Sequence, residues 1–435
     1  MRSGSVSMRS SSGPTATIDV AGVQRRTLRL LFATQIISGI GVGIGGSVGA
    51  LLAAELAGVS VSGLAQSASV VGTALLAFPA TAIVRRRGRR PSLAASYLIA
   101  AVGSILVVMA AIQEAIPLLF AGFFLFGGAT AAGLQARYAA VDLAPAAQRG
   151  RDLSIIVWAT TLGAVVGPNL AAVAGTSVHA YGVPTLAGAY VFSALLFGLA
   201  ALVLMLFMRP DPAVLARRAA GEGAERGHSQ GRVGMRAALR AVGSDPAARL
   251  GVTAVAVGHL VMVGVMAMTP VHIRSAGHEA AQTLRIVGVV LSLHVAGMYA
   301  FAPAIGWLSD RIGRRPVILA GTALLLMACG LAGSAGHDPA RLAIGLIVLG
   351  LGWSSTMIAG STLLSESVSP ELRTSAQGLS DVTMGLAGAS AGVLSGVIVD
   401  VWGFPTLALV SALATIPFIV LAVMSRHWLV DKTRG

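Results

Sequence analysis

"GWLSDRIGRRPV" occupies Gly306–Val317, and an altered copy of its first eleven residues, "TAIVRRRGRRP", occupies Thr81–Pro91. The two copies lie 225 positions apart in a chain of 435 residues. Each is a short basic turn between long apolar runs. Gly88 and Gly313 stand where the chain must reverse, a place where a Cβ would hinder the backbone. At one position the copies differ in sign: Asp310 of the later turn is Arg85 in the earlier one.

The apolar runs around these turns decide the fold class. Only 11% of residues are charged and 55% are hydrophobic, with a mean hydropathy of +0.81. Soluble domains carry about 25% charged residues, so the solvent for most of this surface must be lipid. Twelve runs reach the roughly 20 residues that cross a bilayer core: about 30–54, 61–84, 92–113, 115–136, 153–175, 185–208, 250–272, 286–308, 316–335, 341–364, 378–400 and 404–425. Helices are expected because backbone polar groups in hydrocarbon must be satisfied within the segment. The runs do not alternate, which excludes a β-barrel.

The formal charge is +14, but its placement argues for orientation in a membrane. With the N-terminus cytoplasmic, 28 Lys and Arg fall in inner loops and tails, and only Arg274, Arg285 and Arg341 fall outside. That is a positive-inside pattern, and nucleic-acid binding is not needed to explain it. The single cysteine, Cys329, excludes disulfides and a Cys-based metal site. No ligand spacing supports a metal site among His259, His272, His278 and His294. The Ser-rich start has no apolar core before a cleavage site, so the first apolar run is read as a retained helix.

The 225-residue offset recurs at Pro145 and Pro370, Gly163 and Gly388, and Gly167 and Gly392. One offset at separated landmarks points to internal duplication. The expected architecture is an all-α polytopic membrane protein, with 12 transmembrane helices arranged as two pseudo-symmetric six-helix bundles. Its parts are a disordered cytoplasmic tail (1–26), a first bundle (27–208), a basic cytoplasmic linker (209–249), a second bundle (250–425) and a cytoplasmic tail (426–435). A short surface helix is expected around 234–242.

Twelve helices as six plus six, a long inner linker and "GWLSDRIGRRPV" together resemble the major facilitator superfamily of secondary transporters, across about 27–425. The drug/proton antiporters are the branch most resembled. The family pattern Gly-x-x-x-Asp-Arg-x-Gly-Arg-Arg is matched by Gly306, Asp310, Arg311, Gly313, Arg314 and Arg315. Its usual site is the first-half loop, where this chain has the degenerate Arg85, Arg86, Gly88, Arg89 and Arg90. The fifth run carries "LGAVVGPNLAAVAG", in which Gly163, Gly167 and Pro168 match an element associated with exporters; Ala171 and Ala172 replace its final glycines. The resemblance implies a cytoplasmic gating loop that latches one bundle to the other. Gly306 is expected to let the eighth helix approach a neighbour closely. Asp310 is expected to face the start of the fifth helix near Arg149 and Arg151, where a helix dipole favours a carboxylate. Arg85 is expected to find Glu371 or Asp381, or else to remain a solvated positive-inside residue.

Ionisable and polar groups inside spanning helices are candidate functional residues. Gln35 and Gln66 in the first half, and His259 and His294 in the second, fall at similar depths in corresponding helices. Either histidine could carry a coupling proton or simply hydrogen-bond a neighbouring carbonyl. Asp381 is the best-placed acid. Arg137 is expected to snorkel to the interface or to pair with Asp142 or Asp152.

The function expected is secondary active transport by alternating access in the cytoplasmic membrane, as proton-coupled export of small, fairly apolar compounds by a monomer. The partners are then a small-molecule substrate, protons and the lipid bilayer, without nucleic acid, cofactor or metal. No phosphate-binding loop occurs, which excludes ATP-driven pumping by this chain, and no catalytic constellation marks an enzyme. An importer of a small metabolite or sugar is the second reading. A membrane sensor that kept the fold and lost transport is the third.

Overall fold

The computed structural model describes residues 19–145, 148–220, 230–369 and 372–419. These residues are almost entirely helical and contain no strand. The first half comprises α1 (Val20–Ala57), the short α2 (Val59–Ser62), α3 (Leu64–Arg87), α4 (Arg89–Gln113), α5 (Ile116–Ala139), α6 (Arg149–Ser177) and α7 (Thr185–Phe207). Two polar helices follow, α8 (Pro212–Ala220) and α9 (Gln230–Ser244). The second half comprises α10 (Pro246–Arg274), α11 (Ala280–Tyr299), α12 (Ala302–Ile312), α13 (Arg314–Gly333), α14 (Pro339–Ser367) and α15 (Arg373–Leu413).

Among the described residues, eleven helical stretches are long and apolar enough to cross a bilayer. The last is a continuous stretch of 45 residues, Ser375–Ile419. At 1.5 Å per residue that is roughly twice the thickness of a hydrocarbon core. It is broken at Gly403 (φ 81°), with Pro405 two residues on, so it crosses twice. Twelve crossings result. The remaining differences are local. Helix α1 starts at Val20, so 20–26 is helix rather than tail, and the expected surface helix of the linker is the longer α9.

Three Asp-Pro dipeptides show how sequence starts these helices. Asp245 caps α10, accepting from the backbone N–H groups of Ala247 (2.8 Å) and Ala248 (2.9 Å). Asp338 caps α14 through Ala340 N–H (2.9 Å), and Asp211 caps α8 through Ala213 (3.0 Å) and Val214 (3.2 Å). In each case a proline takes the first helical position, where its missing N–H costs nothing.

The helices of each half pair in the same way. Helix α1 lies along α6, α4 along α5 and α7, and α3 along α5. In the second half α10 lies along α15 and α14, α13 along α14 and α15, and α11 along α14. Apolar burial gives little drive in lipid, so close packing of small residues must hold such pairs. A Cβ on Gly39 of α1 would stand 3.1 Å from Gly163 Cα of α6, and one on Gly43 would stand 3.0 Å from Gly167 Cα. Gly163, Gly167 and Pro168 therefore form the face of α6 that receives α1.

Candidate functional site

The two halves meet along α6 against α11 and along α2 and α3 against α15. Ser67 Oγ on α3 donates to Ala389 O on α15 at 2.7 Å. Ser292 Oγ on α11 donates to Val165 O on α6 at 2.6 Å, and Asn169 Nδ2 donates to Ser292 Oγ at 2.6 Å. Glycines let the backbones approach: a Cβ on Gly288 would stand 2.7 Å from Pro168 O, and one on Gly63 would collide with Gly392 O. Ser62 bonds Met268 Sδ at 3.4 Å, and Arg274 lies 4.0 Å from Glu55. Ser67 and Gly63 open α3, whereas Arg85 and Arg86 close it. These cross-junction contacts thus lie toward the end away from the Arg-rich turns.

At the Arg-rich end, the bonds of Arg89 and Arg314 stay within a half, and that of Arg217 ties a half to the linker. Both turns reverse through a glycine of positive φ, Gly88 at 101° and Gly313 at 96°. Arg89 and Arg314, 225 positions apart, play the same part. Arg89 forks onto Asp142 (Nε–Oδ2 2.8 Å, Nη2–Oδ1 3.1 Å) and donates to Gln135 Oε1 at 2.7 Å. Arg314 forks onto Glu366 (3.2 and 2.7 Å) and pairs with Asp310 one turn earlier at 2.8 Å. Arg85 has no such use for Arg89. In its place Asp211 accepts from the backbone N–H groups of Arg89 (3.1 Å) and Arg90 (2.7 Å), capping α4 from the linker, and Arg217 donates to Val84 O at 3.1 Å.

This geometry departs from several expectations about the turns. Asp310 bonds within its own half; the expected latch to α6, a contact that breaks when the halves rock, is not made in this structure. Gly306 has open space where a Cβ would point, so it permits no close approach. Arg85 and Arg86 are exposed, and Arg85 makes no bond among the described residues; Glu371 lies outside them. Arg311 lies over the Trp307 ring at 5.2 Å from its centre, and Arg315 is half-buried.

In the middle of the molecule the polar residues divide by role. Gln35 is 1% exposed and ties the first bundle together. It accepts from Tyr97 Oη at 2.8 Å and Ser38 Oγ at 3.4 Å, and donates to Gly133 O at 3.3 Å and Thr160 Oγ1 at 3.4 Å. His294 is fully buried, and its Nδ1 donates to Leu346 O at 2.7 Å, because a carbonyl only accepts. Its Nε2 has no partner. Both residues are bonded within their own bundle. Gln66 lines a small cavity of about 50 Å³ at the junction, with Gly49, Tyr190, Met266 and Pro270. His259 is half-buried, and its Nδ1 accepts from the Trp353 indole N–H at 3.1 Å. Tyr299 packs edge-on against Trp353 with ring centres 5.8 Å apart, so α10, α14 and α11 share an aromatic wall. Asp381, on α15, is exposed.

A family model described as Major Facilitator Superfamily matches residues 31–284 and 279–434. The chain belongs to the major facilitator superfamily. It is 38% identical over 404 residues to the MFS-type transporter YdeG of Bacillus subtilis, covering 92% of each protein. It is 26% identical over 396 residues to the riboflavin transporter RfnT of Brucella anthropi, covering 89% of this chain and 92% of that one. The crystal structure of the nucleoside transporter NupG superposes with a TM-score of 0.68 at 16% identity, covering 92% of this chain and 98% of that one. This last likeness concerns the fold alone.

The superfamily fold accounts for where the remaining charge falls. Arg137, in the last turn of α5 and half-buried, makes no ion pair with Asp142 or Asp152 among the described residues. Asp142 is held by Arg89, and Asp152 accepts from Gln24 Nε2 at 2.8 Å. Helix α5 runs toward the Arg-rich end, and side chains on a helix tilt toward its N-terminus. The Nε of Arg137 is buried and has no hydrogen-bond partner. Ser67, Ser292 and Asp211 were not singled out from sequence, although the 225-residue offset relates the two serines and an Asp-Pro step marks Asp211.

Proposed function

We propose that this protein is a secondary active transporter of the cytoplasmic membrane that works by alternating access and couples export of small, fairly apolar compounds to proton entry. The Arg-rich end is taken as cytoplasmic, with both chain ends on that side. The observation that carries the reading is the one-sided junction: serines and glycines related by the repeat join the halves away from the arginines. That arrangement fits a state open to the cytoplasm, and rocking of residues 27–208 against 250–425 would open the other side. The few fixed charges of the spanning segments suit a compact, largely apolar cargo. Asp381, an exposed acid on the spanning helix α15, is the proposed proton carrier. The packing of Gly163, Gly167 and Pro168 against α1 supports the exporter side of the resemblance.

The test is flux of a compound panel from proteoliposomes under an imposed proton gradient. Proton-driven movement opposite to the protons supports antiport. Movement with the protons makes the protein an importer. Absence of flux for every compound favours the sensor.

A further inference from the structure

We infer that the cavity at the junction receives the polar end of the transported compound, and that Gln66 selects neutral cargo carrying an N–H beside a C=O, as in a lactam or an imide. The inference rests on the transport reading and names its substrate class. The cavity holds about 50 Å³ and takes its walls from both halves, with Phe126 and Tyr190 from the first and Met266 and Pro270 from the second. Gln66, Ser69 and Tyr190 are the polar side chains that line it. The Tyr190 hydroxyl is committed to Gly45 O at 2.8 Å. The side chains of Gln66 and Ser69 make no hydrogen bond among the described residues. A half-buried amide in an apolar junction is unfavourable unless water or a ligand satisfies it.

The lining decides what that ligand is. No Asp, Glu, His, Lys or Arg borders the cavity, so a charged group placed there would lack a counterion in an apolar surround. A neutral group fits. The Gln66 amide offers a C=O acceptor and N–H donors side by side in one plane. The group that answers both is another amide edge with its N–H and C=O on the same side, which a small ring imposes. A ketone, an ether or a tertiary amide answers the donor alone. The volume admits the end of such a molecule, so its apolar body lies outside the cavity. Gln66 adjoins Ser67, whose hydroxyl bonds Ala389 O across the sealed junction at 2.7 Å. Parting that junction would uncover the bound edge on the side away from the arginines, as export requires.

The experiment measures equilibrium binding to the purified full-length protein of oxindole against N-methyloxindole, and of phthalimide against N-methylphthalimide. Within each pair the rings and carbonyls are the same, and methylation removes the N–H. Each N–H compound is expected to bind at least about tenfold more tightly than its methylated partner. Gln66→Met, similar in length but without the amide, should abolish that preference while keeping the binding of the methylated compounds. Gln66→Asn, which withdraws the amide by one methylene, should lose most of it. A methyl group that merely clashed would clash in every variant, so a preference that survives Gln66→Met would overturn the inference. Equal binding within the pairs, or no binding of either N–H compound, would leave the cavity to water and overturn it as well. Proton-driven flux of other compounds without this preference would overturn it too, yet leave alternating access standing. An N–H preference lost in Gln66→Met, without any proton-driven flux, would sustain the site and remove the transport reading.

Discussion

Ser67 and Ser292, equivalent positions of the two repeats, each donate one hydrogen bond across the junction to a backbone carbonyl of the other half, at 2.7 and 2.6 Å. The acceptors, Ala389 and Val165, are equivalent to within one residue. A twofold pair of hydroxyls therefore holds one end of the molecule shut. Each bond contributes about 1 kcal/mol net. Ser67→Ala with Ser292→Ala should shift the equilibrium toward opening of that end by about tenfold or more. Labelling of a cysteine placed at Ser69 by an impermeant thiol reagent, in a Cys329→Ala background, should speed up accordingly.

Glycines at the same junction set how near the helices can come. Side chains at Gly63 and Gly288 would meet the carbonyls of Gly392 and Pro168. Gly63→Val and Gly288→Val should each prevent that end from closing, abolishing flux while the protein still reaches the membrane in normal amount. Flux near the wild-type level in both variants would mean that the closed junction is not part of the cycle.

The two arginine forks should not matter equally. Arg89 and Asp142 are 12% and 16% exposed, whereas Glu366, the partner of Arg314, is 52% exposed. Arg89→Ala strands a largely buried carboxylate and should destabilise the protein by about 3 kcal/mol. Arg314→Ala should cost about 1 kcal/mol or less. Thermal unfolding in detergent would show the difference. Arg85→Asp, at an exposed site, should leave the melting temperature unchanged.

Asp211 couples the linker to the first turn. Asp211→Ala removes the acceptor for two N–H groups at the start of α4 and the cap of α8. A loss of about 2 kcal/mol is expected, near the upper end for a cap. Cleavage of the linker by added protease should become faster, and an unchanged cleavage rate would show that α8 does not depend on this acid.

Architecture was legible because it is written in periodic features: apolar runs, one repeat offset and the sidedness of charge. The face each residue presents was not. One residue along a helix turns a side chain by about 100°, so approximate spacing does not tell that Gln35 knits four helices of the first half whereas Gln66 faces the junction. Arg137 does not pair with Asp142 or Asp152 because partner choice depends on competition among distant residues: Arg89 and Gln24 take the acids that look available in sequence. Gly306 matches a family pattern, yet no neighbour crowds it in this structure.

The central claim is that two twofold-related bundles must part at the Ser67–Ala389 junction for each transport cycle. It is tested most directly by flux through a Cys329→Ala protein carrying Ser67→Cys and Ala389→Cys, before and after thiol cross-linking. The account predicts that cross-linking stops proton-driven flux and that reversing it restores flux. Full flux through the cross-linked protein would contradict it.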